Sequence, residues 1–244
     1  MNAKLAIIYL SIIILIAVFT LVVTKYFKDK IKIIIIITLP MLVFIELCED
    51  LIQQELLAFD NTIYIYISRF ISEGTTEFMT FLSFLGSGQV LVFITIASLF
   101  TFWKNKKLSF YSKMLTINLA ASSALNLTLK LIFHRARPDI LRLAKVSGFS
   151  FPSGHSMVSM CFYGFIAYYC YKNIKNYWRY LIPALVSVLI LLIGISRIYL
   201  GVHYASDVLA GFTSGLAWLA IFIVLTNKVY VLKNKTSKLN LILS

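Results

Sequence analysis

The sequence predicts an all-α protein, a polytopic bundle of membrane-spanning helices. Of its 244 residues, 60% are hydrophobic and only 14% are charged, and the mean hydropathy is +0.87. A soluble globular domain is usually about 45–50% apolar and about 25% charged. This composition excludes an ordinary cytosolic globule, a disordered chain and a small disulfide-stabilised domain. Seven apolar runs, each near the roughly 20 residues that cross a bilayer as a helix, complete the prediction.

The predicted spans cover residues 5–24, 31–48, 84–103, 109–133, 154–171, 180–198 and 206–226. The first run is too long for a signal peptide and is followed by no small-residue cleavage site, so we expect an uncleaved helix. Pro40 interrupts the second run, and neighbouring helices would have to satisfy the carbonyl that it frees. Three cysteines without metal-ligand spacing are interpreted as buried hydrophobic residues; they are Cys48, Cys161 and Cys170.

Basic residues predict which loops face the cytoplasm. The net charge of +13 is concentrated in clusters after the first, third, fifth and seventh runs, at 25–32, 104–113, 172–179 and 228–238. The positive-inside rule places all four clusters in the cytoplasm, which seven spans allow and which puts the N-terminus outside. Nucleic-acid binding is not expected, because spans separate the basic clusters.

Segment 49–82 holds most of the acidic residues. Glu49, Asp50, Glu55, Asp60, Glu73 and Glu77 alternate with apolar residues, largely at helical spacing. We expect amphipathic helices that lie on the outer leaflet. A plain extracellular connector is the alternative.

Ionisable residues at membrane depth are costly, so clusters of them on one side indicate function. The first cluster is Lys130, Arg135, Arg137 and Pro138, at the outer end of the fourth span. Lys130 and Arg137 are seven residues apart, which is almost two turns and would place both on one helical face. Snorkelling at the membrane edge is the alternative, although a basic cluster is disfavoured on the outer side.

The second cluster opens the fifth span and consists of residues 151–156, Phe-Pro-Ser-Gly-His-Ser. Pro152 and Ser153 are typical of a helix start, and Gly154 lets a ligand approach the backbone closely. Free N–H groups at a helix start attract phosphate, and His155 is placed to exchange protons with a bound group. A capped helix with an incidental histidine would explain the segment equally well.

The third cluster joins the last two spans and consists of Ser196, Arg197, His203 and Asp207. If the seventh helix begins near His203, Asp207 falls on the same face one turn later. A carboxylate there would fix the imidazole tautomer and leave the other nitrogen free as a nucleophile. A helix-capping pair is the alternative. The three clusters share the outer side and together suit a phosphate group, with Lys130, Arg137 and Arg197 neutralising its oxygens.

At these residues the sequence resembles the type 2 phosphatidic acid phosphatase family, which shares its catalytic pattern with vanadium haloperoxidases. The family pattern is K-x6-RP, then PSGH, then SR-x5-H-x3-D. All positions match, at Lys130 to Pro138, Pro152 to His155 and Ser196 to Asp207. The resemblance implies a six-helix phosphatase core with an extra N-terminal transmembrane helix. The implied division is 1–30 for the extra helix and loop, 31–228 for the phosphatase domain and 229–244 for a basic cytoplasmic tail.

The resemblance also implies a role for each matching residue. His203 would attack phosphorus, Asp207 would orient His203, and His155 would protonate the leaving oxygen and then activate water. The phosphoryl oxygens would be held by Lys130, Arg137, Ser153, Gly154 and Arg197. No metal or other cofactor is implied. Arg135 and His134 lie outside the pattern and receive no catalytic role.

We therefore expect a plasma-membrane enzyme with an extracytoplasmic site that hydrolyses a lipid phosphate or diphosphate. The outward site and small size look most like the bacterial members that act on undecaprenyl diphosphate. Phosphatidic acid and phosphatidylglycerol phosphate are the alternative substrates. A lipid phosphotransferase and a non-catalytic lipid-binding or transport protein are the alternative functions. Beyond the substrate and the bilayer, no partner is predicted.

Overall fold

A computed structural model describes residues 30–139 and 141–243, with side chains described for 34–139 and 141–235. These residues form eight helices, numbered in chain order: α1 Lys30–Ile52, α2 Leu57–Ser68, α3 Glu73–Leu85, α4 Gly88–Thr101, α5 Lys106–Phe133, α6 Gly154–Asn173, α7 Trp178–Tyr199 and α8 Ala205–Leu243. The predicted span at 5–24 lies outside the described residues. The predicted all-α membrane bundle is confirmed.

Among the described residues, three helices are long and apolar enough to cross a membrane: α5, α7 and α8 up to Lys235. The pair α3 and α4 passes the same test together, as one broken span or a re-entrant loop. Large apolar side chains point outward from these helices, as on α4, where Phe93 is 72% and Phe100 is 84% exposed. Such surfaces fit a lipid environment.

The predicted span at 84–103 has the wrong bounds. A bend of 47° between α3 and α4 divides it, and α4 alone has 14 residues, about 21 Å. Ser87 caps α4 by accepting a hydrogen bond from the N–H of Val90. Gly86 allows α7 to approach the bend, because a Cβ there would lie 2.5 Å from Ile193 Cγ2. This tertiary contact is invisible in a hydropathy pattern.

Helix α6 is the centre of the bundle and packs against α5, α7 and α8. Its core residues include Phe162 and Phe165, which join a cluster with Leu91, Ile193 and Phe222. At the crossing with α8, Gly211 and Gly215 face the α6 backbone. A Cβ at either position would lie 2.8 Å from a carbonyl oxygen, of Ser153 and Met157 respectively. Small residues at i and i+4 therefore bring the first turn of α6 against the first turns of α8.

Segment 49–82 forms helices, as predicted, but one of its acids is not on an exposed face. Asp60 on α2 is 1% exposed and pairs with Arg135, because α2 packs against α7 and α8. The position of α2 and α3 on the outer leaflet stays a prediction. Of the three cysteines, which are free thiols, only Cys161 is fully buried; Cys48 and Cys170 are half-buried.

Candidate active site

Four segments meet at one end of the bundle and hold the predicted site residues. They are the last turns of α5, the loop 134–153, the first turn of α6, and the connection from α7 to α8. Ser150 N–H donates to Arg135 O (2.8 Å) and joins the two ends of the loop. Leu143 N–H donates to Leu200 O (3.0 Å) and fastens the loop to the connection from α7 to α8. Residues that are distant in the chain thereby share one pocket.

The predicted reason for the proximity of Lys130 and Arg137 is wrong. Helix α5 ends at Phe133, His134 takes a left-handed conformation (φ 48°) that turns the chain, and Arg137 lies in the loop. The two side chains meet instead at the carbonyl of Phe149, which accepts from Lys130 Nζ (2.7 Å) and Arg137 Nη2 (3.3 Å). A folded loop therefore replaces the expected helical face.

Arg137 is held rigidly by backbone carbonyls. Its Nε donates to Gly148 O (2.9 Å), its Nη1 to Val202 O (2.7 Å) and its Nη2 to Ser147 O (3.1 Å). Burial lowers the Arg137 pKa, and the charge of Asp207 opposes that change. The same Nη1 lies 3.2 Å from Nε2 of His203, so the guanidinium plane is fixed beside the imidazole.

This contact assigns the tautomer of His203. A guanidinium can only donate, so Nε2 of the imidazole accepts and carries the lone pair. The proton then lies on Nδ1, which faces Asp207 Oδ2 at 3.3 Å. Both side chains are buried, with His203 3% and Asp207 0% exposed. Burial lowers the His203 pKa to about 4 even though the neighbouring Asp207 raises it, so the ring is neutral at physiological pH.

Asp207 also caps the helix on which it stands. Helix α8 begins at Ala205, so His203 lies just before it, and Asp207 Oδ2 accepts from the backbone N–H of Tyr204 (2.9 Å). Contacts that suit both alternatives, a helix cap and a carboxylate beside the imidazole, are present. The hydroxyl of Ser150 adds a further short hydrogen bond to Oδ2.

Helix α6 starts where the sequence predicts, with Ser153 as its N-cap and Gly154 as its first residue. The N–H of Ser153 donates to Asp207 O (2.9 Å), which attaches this start to α8. Gly154 leaves room for Asn126 of α5, since a Cβ would lie 3.0 Å from Asn126 Oδ1 and 3.9 Å from Lys130 Cε. The free N–H groups of the first turn are thus next to a lysine, in a position suited to an anion.

Arg197 and His155 complete the set. Arg197 is 3% exposed, its Nη1 donates to the hydroxyl of Ser83, and its buried Nε has no hydrogen-bond partner among the described residues. That N–H is available for a phosphoryl oxygen. His155, in the first turn of α6, experiences the charges of Arg197, Arg137 and Lys130. The structure therefore brings all eight predicted site residues to one end of the bundle.

Sequence reasoning missed five polar residues that support this site. Ser150 contacts Asp207, Asn126 contacts the start of α6, and Ser83 contacts Arg197. Arg135 forms buried ion pairs with Asp60 and Asp207. Only Arg135 gave a signal, as a basic residue beside the first motif. In the part of the chain that the structure describes, no group of three His, Cys, Asp or Glu side chains could hold a metal ion. Metal independence stays a prediction.

Comparisons with known proteins identify similar sequences. The sequence model of the PAP2 superfamily matches residues 111–230. Phosphatidylglycerophosphatase B of Bacillus subtilis (strain 168) is 37% identical over 143 residues, which cover 57% of this chain and 70% of the relative.

Two solved structures are also similar. The crystal structure of the first transmembrane PAP2 type phosphatidylglycerolphosphate phosphatase from Bacillus subtilis matches with a TM-score of 0.74 and 29% identity, over 80% of this chain and 98% of that one. The crystal structure of Aquifex aeolicus LpxE matches with a TM-score of 0.55 and 27% identity, over 66% of this chain and 93% of LpxE.

Proposed function

We propose that this chain, which belongs to the PAP2 superfamily, hydrolyses phosphatidylglycerol phosphate through a phosphohistidine formed on His203. At the coarser level the chain is a multi-pass membrane protein and a hydrolase of lipid phosphate esters. One observation carries the finer proposal. The buried Nε2 of His203 accepts from Arg137 while Nδ1 faces Asp207, in a ring of cations at the start of α6.

In the first step, the bound phosphoryl group displaces the Arg137 N–H from Nε2 of His203. The freed Nε2 lone pair attacks phosphorus, and a P–N bond forms as the P–O bond to the lipid breaks. Asp207 stabilises the imidazole, which becomes positively charged. His155 gives its proton to the departing lipid oxygen. Lys130, Arg137 and Arg197 balance the charge on the phosphoryl oxygens, and Ser153 and the Gly154 N–H contribute hydrogen bonds. Preorganised charge of this kind is usually the largest contribution to catalysis.

In the second step, His155 takes a proton from water, and the hydroxide attacks phosphorus. The P–N bond breaks, inorganic phosphate leaves, and His203 returns to its neutral form. The surroundings of the two histidines decide which is the nucleophile, His203, and which is the acid and base, His155. His203 has a carboxylate partner, whereas no hydrogen bond to the His155 imidazole is formed by the residues with described side chains.

Two observations favour a glycerol-linked phosphate over undecaprenyl diphosphate. The two Bacillus subtilis relatives act, by their names, on phosphatidylglycerol phosphate. In addition, a cleft of about 10 Å³, with room for one hydroxyl-sized group, reaches His203 and is lined in part by Asn61, Tyr64 and Tyr204. Amide and phenol groups suit the hydroxyls of a glycerol headgroup better than a hydrocarbon chain. The expectation of undecaprenyl diphosphate has no corresponding support and remains an outcome of the substrate test.

An extracytoplasmic site at the plasma membrane is part of the same proposal. Helices α5 and α7 end at the site, and α6 and α8 begin there. Their opposite ends carry the basic clusters near Lys106, Lys172 and Lys233. The positive-inside rule therefore favours a site on the far side from the cytoplasm.

The test is phosphate release by purified protein in detergent, with phosphatidylglycerol phosphate, phosphatidic acid and undecaprenyl diphosphate compared at equal mole fraction. We expect kcat/KM to be at least about tenfold higher for phosphatidylglycerol phosphate, the difference that about 1.4 kcal/mol gives. A preference for undecaprenyl diphosphate would reject the substrate, and phosphate transfer to another lipid in place of release would reject hydrolysis. His203→Ala, checked for folding by thermal unfolding, is the inactive control.

Asn61→Ala tests the headgroup cleft. We expect it to raise KM for phosphatidylglycerol phosphate and to leave phosphatidic acid unaffected, because phosphatidic acid has no glycerol beyond the phosphate. Thr62→Ala is the matched control, since Thr62 is exposed on the same helix and its hydroxyl donates to Ala58 O. Equal KM values for Asn61→Ala and Thr62→Ala with both lipids would exclude this cleft as the headgroup site.

A further inference from the structure

A buried ion-pair network extends from the carboxylate of Asp207, the partner of His203. Arg135 bridges two carboxylates, with Nη2 2.7 Å from Asp60 Oδ2 and Nη1 2.6 Å from Asp207 Oδ1. The Arg135 side chain is 9% exposed and both carboxylates are fully buried. We name Asp60 and Arg135 the Asp60–Arg135 brace.

The brace joins three distant parts of the chain. Asp60 belongs to α2, Arg135 to the loop after α5, and Asp207 to the first turn of α8. Ser206 closes the network, because its hydroxyl accepts from Arg135 (2.8 Å) and donates to Asp60 (2.7 Å), and its N–H donates to Asp60 Oδ1 (2.8 Å). The guanidinium also lies over the ring of Tyr204, 4.1 Å from its centroid.

The removal of three charges from water offsets much of their mutual attraction, so a buried network of this kind adds little net stability to the fold. The hydrogen bonds of the network have another effect, because they fix the orientation of the Asp207 carboxylate. Arg135 occupies Oδ1 of Asp207, which leaves Oδ2 for His203 Nδ1, Ser150 and the Tyr204 N–H. The carboxylate therefore has no freedom to rotate away from the imidazole.

The charges of the brace are also balanced. Arg135 alone would cancel the negative charge of Asp207 and make His203 less basic. Asp60 compensates Arg135, so the group of three keeps a net charge of −1 next to the imidazole. The guanidinium of Arg135 is directed at the two carboxylates, since both its terminal nitrogens bind them.

We propose that the Asp60–Arg135 brace positions Asp207 and sets the basicity of His203. Asp60 and Arg135 are then positioning residues for the nucleophile. The inference rests on the proposed function, in which His203 attacks phosphorus. It assigns a role to Arg135, which lies outside the family motif, and to Asp60, whose sequence position suggested only an exposed helix face.

The experiment compares Asp60→Asn and Arg135→Met in the full-length protein by the pH profile of kcat/KM and by single-turnover phosphorylation. Asp60→Asn leaves the positive charge of Arg135 uncompensated, which makes His203 less basic. We therefore expect the acid limb of the kcat/KM profile to move to lower pH and phosphorylation of His203 to slow about tenfold or more. Arg135→Met removes the positive charge, so the limb should move to higher pH. Charges at this range shift a titration by about half a unit to one unit. KM should change less than about threefold in both, since neither side chain contacts phosphate.

Opposite shifts are the result that a merely structural role would not give. The other ionisable groups around His203 are unchanged in both variants: Arg137 of the loop, Lys130 of α5, His155 of α6 and Arg197 of α7. Arg69→Gln and Asp139→Asn are matched controls, because both residues are exposed. They should stay within twofold of the parent protein. If Arg135→Met does not fold, Arg135→Lys replaces it. Lysine keeps the positive charge but cannot bind both carboxylates as the guanidinium does. Phosphorylation should therefore slow while the acid limb of the kcat/KM profile stays in place.

Acid limbs and phosphorylation rates indistinguishable from the controls would overturn the proposal, and so would shifts in the same direction for Asp60→Asn and Arg135→Met. His203→Ala separates this failure from that of the proposed function. If His203→Ala is inactive while the brace variants behave like the controls, only the brace is rejected. If His203→Ala retains activity, the nucleophile itself is wrong.

Discussion

Gly211 sets the distance between the two helices that carry the site, and Gly211→Ala tests that coupling. A Cβ at this position would lie 2.8 Å from Ser153 O, 2.8 Å from Ser156 Cβ and 3.1 Å from Met157 N. Two of these neighbours are backbone atoms and cannot rotate away. Ordinary contact begins at 3.4 Å, so α6 and α8 must separate by about 0.6 Å, which is 3.4 minus 2.8.

The separation acts directly on the reacting groups, because Ser153 N–H donates to Asp207 O. A misplacement of 1 Å can cost about 10²-fold in rate, so we expect Gly211→Ala to lower kcat about tenfold. Overpacking of this kind also costs about 1–3 kcal/mol of stability. Phosphate release and thermal unfolding in detergent measure the two effects.

Gly74→Ala is the matched control for Gly211→Ala. Gly74 is also helical, but a Cβ there meets nothing within 4 Å. This variant should match the parent in kcat and unfolding temperature. If Gly211→Ala is as active and as stable as Gly74→Ala, the close approach of α6 and α8 does not hold the site, and the reasoning fails.

Three further outcomes are expected. Asp207→Asn should slow single-turnover phosphorylation about 10³–10⁴-fold, as a wrongly held imidazole does in a serine protease; a loss below tenfold would contradict its role as orienter. After correction for substrate ionisation, measured by phosphorus NMR, the acid limb of kcat/KM should lie near the His203 pKa of about 4, because protonation removes the Nε2 lone pair; a limb at 6.5 would show that the ring is not desolvated. Vanadate should compete with substrate, and chelators should leave kcat unchanged; magnesium-dependent recovery after chelation would point to another mechanism.

Local rules predicted much of the fold and the site. The start of α6 at Gly154 follows from the residue types before it. The apolar runs of α5, α7 and α8 follow from their hydrophobicity and length, so the sequence alone predicted all of these features. The family motif predicted His203, Asp207 and the cations as site residues. It could do so because the spacing of the motif is encoded within short segments.

What could not be predicted depends on tertiary contacts. Lys130 and Arg137 meet through a carbonyl of Phe149 and not along a helix, because His134 ends α5 in a left-handed turn. The burial of Asp60 depends on Arg135, 75 residues away. The bend at Gly86 likewise depends on its contact with α7. A single sequence contains no periodic signal for any of these pairings.

The identity of the phosphorylated residue tests the central claim most directly. Rapid quench of the enzyme with radiolabelled substrate, followed by mass spectrometry under alkaline conditions, locates the phosphoryl group. We expect a transient adduct on the imidazole of His203, formed and lost at rates that account for turnover and absent in His203→Ala. An adduct on His155 or on any other residue, or burst-free turnover with no adduct at all, would contradict the account.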